Sequence, residues 1–159
     1  MNDNYQIIGV DDSTTSVYKE HHEEIDHASE VQVYEAIMAD TAGNQTYTLL
    51  NASSYVKDNR LLPKGYKSTT PPNAQPYGEA LNDSDFIGGR DTLNYEVSDL
   101  SDGQYEITVT LKYQTVSYGF MQDLYKDANL TEVALMKVLD DNADIRYEDI
   151  STDTTTYTP

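Results

Sequence analysis

The sequence contains no cysteine, no tryptophan and only two phenylalanines. Without a thiol the chain offers no cysteine nucleophile, thiolate zinc site, disulfide or covalent c-type haem attachment, and its redox compartment is left undetermined. Basic residues are scarce as well: ten Lys and Arg stand against 28 Asp and Glu, a formal charge of −18. That field repels nucleic-acid phosphate and anionic membrane surfaces, so neither is expected as a partner. It suits a salty or extracellular milieu, where screening lets carboxylates crowd together. Divalent-cation binding, or mimicry of nucleic acid toward a basic partner, are the sharper alternatives. Long apolar runs are missing too. No stretch reaches the length of a bilayer-spanning helix, and MNDNYQIIGV lacks the basic and apolar blocks of a signal peptide; an exported form would carry its targeting segment outside this sequence.

What is present is enough for a core. A chain of 159 residues is about one domain. A hydrophobic fraction of 38% and 14 tyrosines argue against global disorder, with tyrosine as the main aromatic filler.

The first patterned segment, YQIIGV at 5–10, is an apolar run fit for a strand. Val31 and Val33 alternate with Glu30, Gln32 and Tyr34, which predicts a strand over 30–38 with a helix as its rival. DTAGNQ, 40–45, has the residues of a connection before β-prone TYTLLN, so a hairpin is expected there. From 53 to 89 the chain is irregular and holds four of the five prolines and four of the eight glycines. An excursion of that length inside a domain is either functional or pinned to the surface; Leu61, Leu62, Tyr66, Tyr77 and Phe86 are the candidate pins.

The clearest pattern is QYEITVTLKYQTV. Tyr105, Ile107, Val109, Leu111 and Tyr113 fall on one face, and Gln104, Glu106, Thr108, Thr110, Lys112 and Gln114 on the other, the signature of a half-buried antiparallel strand. Leu93, Tyr95 and Val97 alternate likewise, and SDLSDG between them has loop composition, so 92–116 reads as a hairpin. Beyond SYGF the period becomes helical. Phe120 and Leu124, and Met121 and Tyr125, are four apart; in the next segment Asn129 is placed to cap a helix with Glu132 three residues on and a stripe of Leu135, Val138 and Leu139. The threonine-rich tail, 151–159, reads as a flexible end or an edge strand.

These patterns predict an all-β protein, an antiparallel β-sandwich of immunoglobulin-like or jelly-roll form, as one domain over 1–150 with one or two short C-terminal helices in about 118–141.

Chemistry is harder to read. Asp83, Asp85 and Asp91 flank the pair Gly88-Gly89, and carboxylates gathered with backbone carbonyls are what Ca²⁺ prefers, although the spacing is not that of an EF-hand. The alternative is a turn in which Asp caps backbone N–H groups and Gly supplies positive φ. All three histidines lie in HHEEIDH: His21, His22 and His27. They could ligate Zn²⁺, Cu²⁺ or Ni²⁺, but the spacing is not that of zinc proteases, and a solvated acidic loop is the plainer reading. A nucleophile elbow, a lysine-assisted serine, a P-loop and a dinucleotide-binding motif are all absent from the sequence. Carboxylates are too many for any pair to stand out as a hydrolase site.

The segments EVQVYEAIMADTAGNQTYTLL, YVKDNRLLPKGY, DSDFIGGRDTLNYEV and YEITVTLKYQTVSYGF, in this order over roughly 25–139, resemble the β-rich, non-haem module that follows the haem-binding part of certain bacterial multihaem c-type cytochrome-like proteins. KDNRLLPKG and DFIGGRDT carry the resemblance best. The Cys-x-x-Cys-His motifs that fasten haem in such proteins are missing here, so electron transfer does not carry over. The resemblance implies a place outside the cytoplasm (periplasmic, cell-surface or secreted) and a packing or binding role beside a haem-bearing domain or a cell-surface protein. The function expected is thus a non-catalytic binding or assembly module with no covalent cofactor and a possible structural Ca²⁺ at Asp83, Asp85 and Asp91, the rivals being a carbohydrate-binding module and a hydrolase.

Overall fold

A computed structural model describes residues 18–27, 30–67 and 74–159; the expected strand at 5–10 lies outside them. Strand makes up 28% and helix 22%, so the protein is sheet-rich with few helices. The chain divides between Glu96 and Val97 into two compact units.

In the first unit, β1 (Glu24–Ile25), β2 (Ala36–Ala39), β3 (Gln45–Thr46), β4 (Ser54–Asp58) and β5 (Asn94–Tyr95) are short. β2 lies between β3 and β4 in an antiparallel sheet, and β1 pairs with β5 in parallel. The β2–β3 hairpin forms where expected, with Met38 opposite Thr46 and Ala39 opposite Gln45. Its turn is built by Asp40, whose Oδ1 accepts the N–H groups of Ala42 (2.8 Å) and Asn44 (2.9 Å). Gly43 takes the positive φ of 83° that the turn requires.

The strand predicted over 30–38 is realised only from Ala36. Before that point side chains replace the ladder. Val33 C=O accepts from Lys57 Nζ (2.8 Å) and Asn59 Nδ2 (2.9 Å), while the Glu35 N–H donates to Asn59 Oδ1 (2.9 Å). The core around these bonds is as polar as it is apolar. Ile25, Ile37, Ala39, Ala80 and Phe86 are buried together with His21, Lys57, Asp58, Asn59 and Asp83. Buried charge of this kind persists only when its hydrogen bonds are made. Lys57 Nζ reaches two carbonyls, those of Lys19 and Val33, and lies 3.5 Å from Glu35 Oε1. Asp58, less exposed than its partner, takes Arg60 in a two-pronged pair at 2.8 and 2.6 Å.

The irregular stretch 53–89 contains β4, a 3-10 turn at Gly78–Leu81 and an antiparallel bridge between Asp58 and Tyr77. Of its expected pins, Phe86 is buried, Leu62 and Tyr66 are half-buried, and Leu61 and Tyr77 are exposed.

The second unit holds β6 (Tyr105–Tyr113), α1 (Tyr118–Leu124), α2 (Thr131–Asp141) and β7 (Glu148–Tyr157). The hairpin predicted over 92–116 does not form. Its first strand, β5, pairs with β1, and β6 pairs with β7 over nine residue pairs, from Tyr105–Tyr157 to Tyr113–Glu148. The tail therefore completes a long antiparallel ribbon. Threonine hydroxyls join across one face, Thr108 with Thr154 (3.1 Å) and Thr110 with Thr152 (3.2 Å). A register shift places one extra residue, Ile150, on β7, so β6 keeps a regular pleat. Both helices form where the period changes. Ser117 caps α1 by accepting from Phe120 N–H (3.3 Å). The N-cap position of α2 falls on Leu130, one residue after the expected Asn129, and gains no side-chain bond. Tyr125 OH donates to Asp140 Oδ2 (2.8 Å) and Arg146 Nε to Asp140 Oδ1 (2.7 Å), tying the helices to the segment that follows. Burial and then this bond push the Tyr125 hydroxyl up to about 12.

Candidate functional site

Among the described residues, the cluster richest in polar chemistry lies in the first unit and is assembled from distant pieces of sequence. His21, Asp83 and Asp91 each bring a possible ligand atom to within 4.8 Å of the others. His21 and Asp83 are buried and Asp91 is half-buried. Of the calcium residues read from the sequence, Asp83 and Asp91 enter this group and Asp85 does not. Of the histidines, His21 enters it, while His22 is half-buried and His27 exposed outside it.

The hydrogen bonds define which atom of His21 carries its proton. Gln32 Oε1 accepts the His22 N–H (2.9 Å), so the amide of Gln32 faces Nδ1 of His21 with its NH₂ group at 2.8 Å. Asn59 is fixed in the same way: its Oδ1 accepts the Glu35 N–H and its Nδ2 donates to Val33 C=O, leaving an N–H toward His21 Nδ1 at 3.1 Å. Two donors aimed at Nδ1 make it an acceptor. The ring proton is therefore on Nε2, which donates to Asp83 Oδ2 at 3.0 Å.

Asp83 is occupied on its other oxygen too. Its Oδ1 accepts the backbone N–H groups of Asp85 (2.9 Å) and Phe86 (3.3 Å). Burial by itself would raise this carboxyl, but the hydrogen bonds from His21 and the two amides outweigh it and hold Asp83 below the usual carboxylate range. Asp91 receives Tyr34 OH on Oδ2 (2.6 Å) and Thr92 N–H on Oδ1 (2.8 Å). Burial first, and then this bond, push the Tyr34 hydroxyl above the ordinary tyrosine value. Phe86 sits against both rings, edge-on to His21 at 5.1 Å and parallel to Tyr34 at 6.5 Å.

The glycine pair is a corner. Ile87 and Arg90 bridge across it, Gly89 has a φ of 90°, and the Gly89 N–H donates to Leu62 C=O at 2.9 Å. At Gly88 a Cβ would meet backbone atoms of Tyr66 at 3.0 and 3.1 Å and of Pro63 at 3.2 Å. LLPKGY and FIGGR are thus two halves of one packed device. Beside it runs a cleft of about 330 Å³, walled by Leu62, Tyr66, Pro76, Leu81 and Ile87, with Asp83 and Phe86 on its lining.

A metal would find the donors committed. A histidine that binds through Nε2 normally donates its Nδ1 proton to an acceptor, whereas here both neighbours of Nδ1 are donors. Calcium takes six to eight oxygens, and both carboxylates already serve protein donors. The acid of a glycosidase pair needs a raised pKa; Asp83, held below the usual range, does not suit that role. Chemically the cluster is suited to joining the segments around His21, Tyr34, Asn59 and Asp83. Sequence reasoning missed this use of His21, because nothing local marks a partner 62 residues away.

The strand that carried the clearest sequence pattern shows the opposite behaviour. Ile107 is 45% exposed, Val109 50%, Leu111 39% and Tyr113 54%. The helix stripe is open as well: Leu135, Val138 and Leu139 are exposed, and Val133 is the buried residue of α2. No family model, curated protein or solved structure matches the chain.

Proposed function

We propose that the protein is a non-catalytic binding and assembly module whose contact element is the β6–β7 ribbon. The observation that carries this reading is the exposed apolar column of β6. A two-stranded ribbon is marginal in water without something against its apolar face, and contiguous exposed apolar surface marks an interaction site. The second layer of the sandwich that this alternation calls for would then come from the bound partner. The closed state of the His21 cluster supports a structural role for the first unit over a reaction centre. The resemblance to the non-haem module of multihaem cytochrome-like proteins supports a setting outside the cytoplasm, beside a redox or cell-surface protein; a structural Ca²⁺ is no part of this reading, because Asp83 and Asp91 already accept hydrogen bonds from protein donors.

The test replaces Tyr113 with the photoreactive p-benzoylphenylalanine, and irradiates the full chain in extracts of its native host. A covalent adduct is expected at 113 and lost when Ile107 and Leu111 are changed to serine. Leu50, 98% exposed in the other unit, is the control position. Equal labelling at 50 and 113, or none at 113, would overturn the reading.

A further inference from the structure

The β6 sequence is a chemical palindrome. Read outward from Val109, Thr108 matches Thr110, Ile107 matches Leu111, Glu106 meets Lys112, Tyr105 matches Tyr113, and Gln104 matches Gln114. Both arms therefore carry, in mirrored order, hydroxyl, aliphatic, charged, aromatic and amide side chains, and the one charged position has opposite signs on its two arms. An antiparallel strand laid on a copy of itself about Val109 places each of these pairs face to face.

The structure leaves β6 ready for such a contact. β7 is its only strand partner among the described residues, so its other edge presents unpaired N–H and C=O groups. The irregularity of the ribbon lies on β7, which keeps the β6 pleat regular along its length. Edge pairing across a two-fold axis keeps residues of equal parity on one face. Tyr105, Ile107, Val109, Leu111 and Tyr113 would lie beside their counterparts on one side, and Glu106, Thr108, Thr110 and Lys112 beside theirs on the other.

We propose that β6 pairs antiparallel with β6 of a second copy of this chain, about a two-fold axis at Val109, giving a four-stranded sheet in the order β7–β6–β6–β7. This deepens the assembly reading above and rests on it. Charge complementarity selects the occupant: the pairing sets Glu106 of each chain opposite Lys112 of the other, twice per dimer. Lys112 already leans on Asp149 (2.6 Å) and over the Tyr147 ring (3.9 Å), which holds it on this face. The formal charge of −18 per chain opposes any association at low salt, so the contact belongs at an ionic strength of about 0.15 M, where the Debye length is about 8 Å.

Analytical ultracentrifugation of the full chain at about 100 µM, the regime for a contact of this modest size, is expected to show a species of twice the 17.9 kDa chain mass. Glu106→Lys and Lys112→Glu should each weaken self-association at least tenfold by setting like charges opposite one another, and an equimolar mixture of the two should restore the dimer, because every charged pair in the mixed dimer is again of opposite sign. The absence of native cysteine allows a second readout that needs no charge change. Val109→Cys, on the axis, should form a disulfide-linked dimer at least ten times faster than Ile107→Cys, which lies off it. A monomer at this concentration, a mixture that stays monomeric while both variants keep the wild-type circular dichroism, or equal oxidation rates at 107 and 109 would overturn self-pairing. No adduct at 113 removes the assembly reading itself, whereas an adduct at 113 together with a monomer in the ultracentrifuge removes self-pairing alone.

Discussion

His21 and Asp83, 62 residues apart in the chain, are joined by a buried hydrogen bond from Nε2–H to Oδ2 at 3.0 Å, and two side-chain amides turned toward Nδ1 fix the direction of that bond. The segment that holds His21 and the glycine corner that follows Asp83 are thereby held to each other.

Acid should release this junction. Asp83 has a folded-state pKa below the usual carboxylate value, so its stabilisation is complete above the unfolded pKa of about 3.9 and is lost as pH falls through the lowered value. Melting temperature measured from about pH 6 to pH 2.5 is expected to fall more steeply for the wild type than for Asp83→Asn. At neutral pH that substitution should cost about 1–3 kcal/mol, the range for a buried hydrogen-bonded charge that loses its partner geometry.

Tyr34 gives the opposite sign at the alkaline end. Its pKa is raised by burial and by donation to Asp91, so its contribution is intact below the unfolded value of about 10 and is lost as pH rises beyond it. In a spectrophotometric titration Tyr34→Phe should lack one late-ionising tyrosine. At pH 7 it should be about 1 kcal/mol less stable, as expected for one intramolecular hydrogen bond. An unchanged titration curve would count against the Tyr34–Asp91 bond.

Two glycines separate packing from conformation. Gly88→Ala pushes a methyl group onto the backbone of Pro63 and Tyr66, so a loss of about 1–3 kcal/mol is expected from overpacking. Gly43→Ala meets open space and only a positive φ, for which about 1 kcal/mol is the usual cost. Urea denaturation of both variants compares them; an equal effect at the two sites would mean that the corner is looser than its distances imply.

Calcium should leave the protein unmoved. Every oxygen of Asp83 and Asp91 has a protein donor, so adding about 1 mM Ca²⁺ to chelator-treated protein is expected to shift the melting temperature by less than about 1 °C. A rise of several degrees, abolished by Asp91→Asn, would show that a cation displaces those donors.

The alternation in 105–113 was legible because a period of two depends only on side-chain order. It marks which face is apolar, and says nothing of whether that face is covered; on β6 it is not. Strand partners were less legible. Residues 94–95 and 105–113 both read as β, but a loop composition between them does not oblige them to pair, and each found a partner elsewhere, β5 with β1 and β6 with β7. Helix positions followed from the switch to four-residue spacing, while the α2 cap missed by one residue. In sequence the Asp83–Asp91 stretch fits both a cation loop and a corner. Its capping bonds and glycines fit the corner, and its long-range bond to His21 had no local signature.

The lock between Gly88-Gly89 and Pro63–Tyr66 bears on transplantation. Neither motif has a shape of its own to export, since each is the mould in which the other sets. A chimera that inherits FIGGR from one parent and LLPKGY from another should fold only if the two parents agree at this seam, and a cut for domain swapping is better placed beyond Glu96 than anywhere between them.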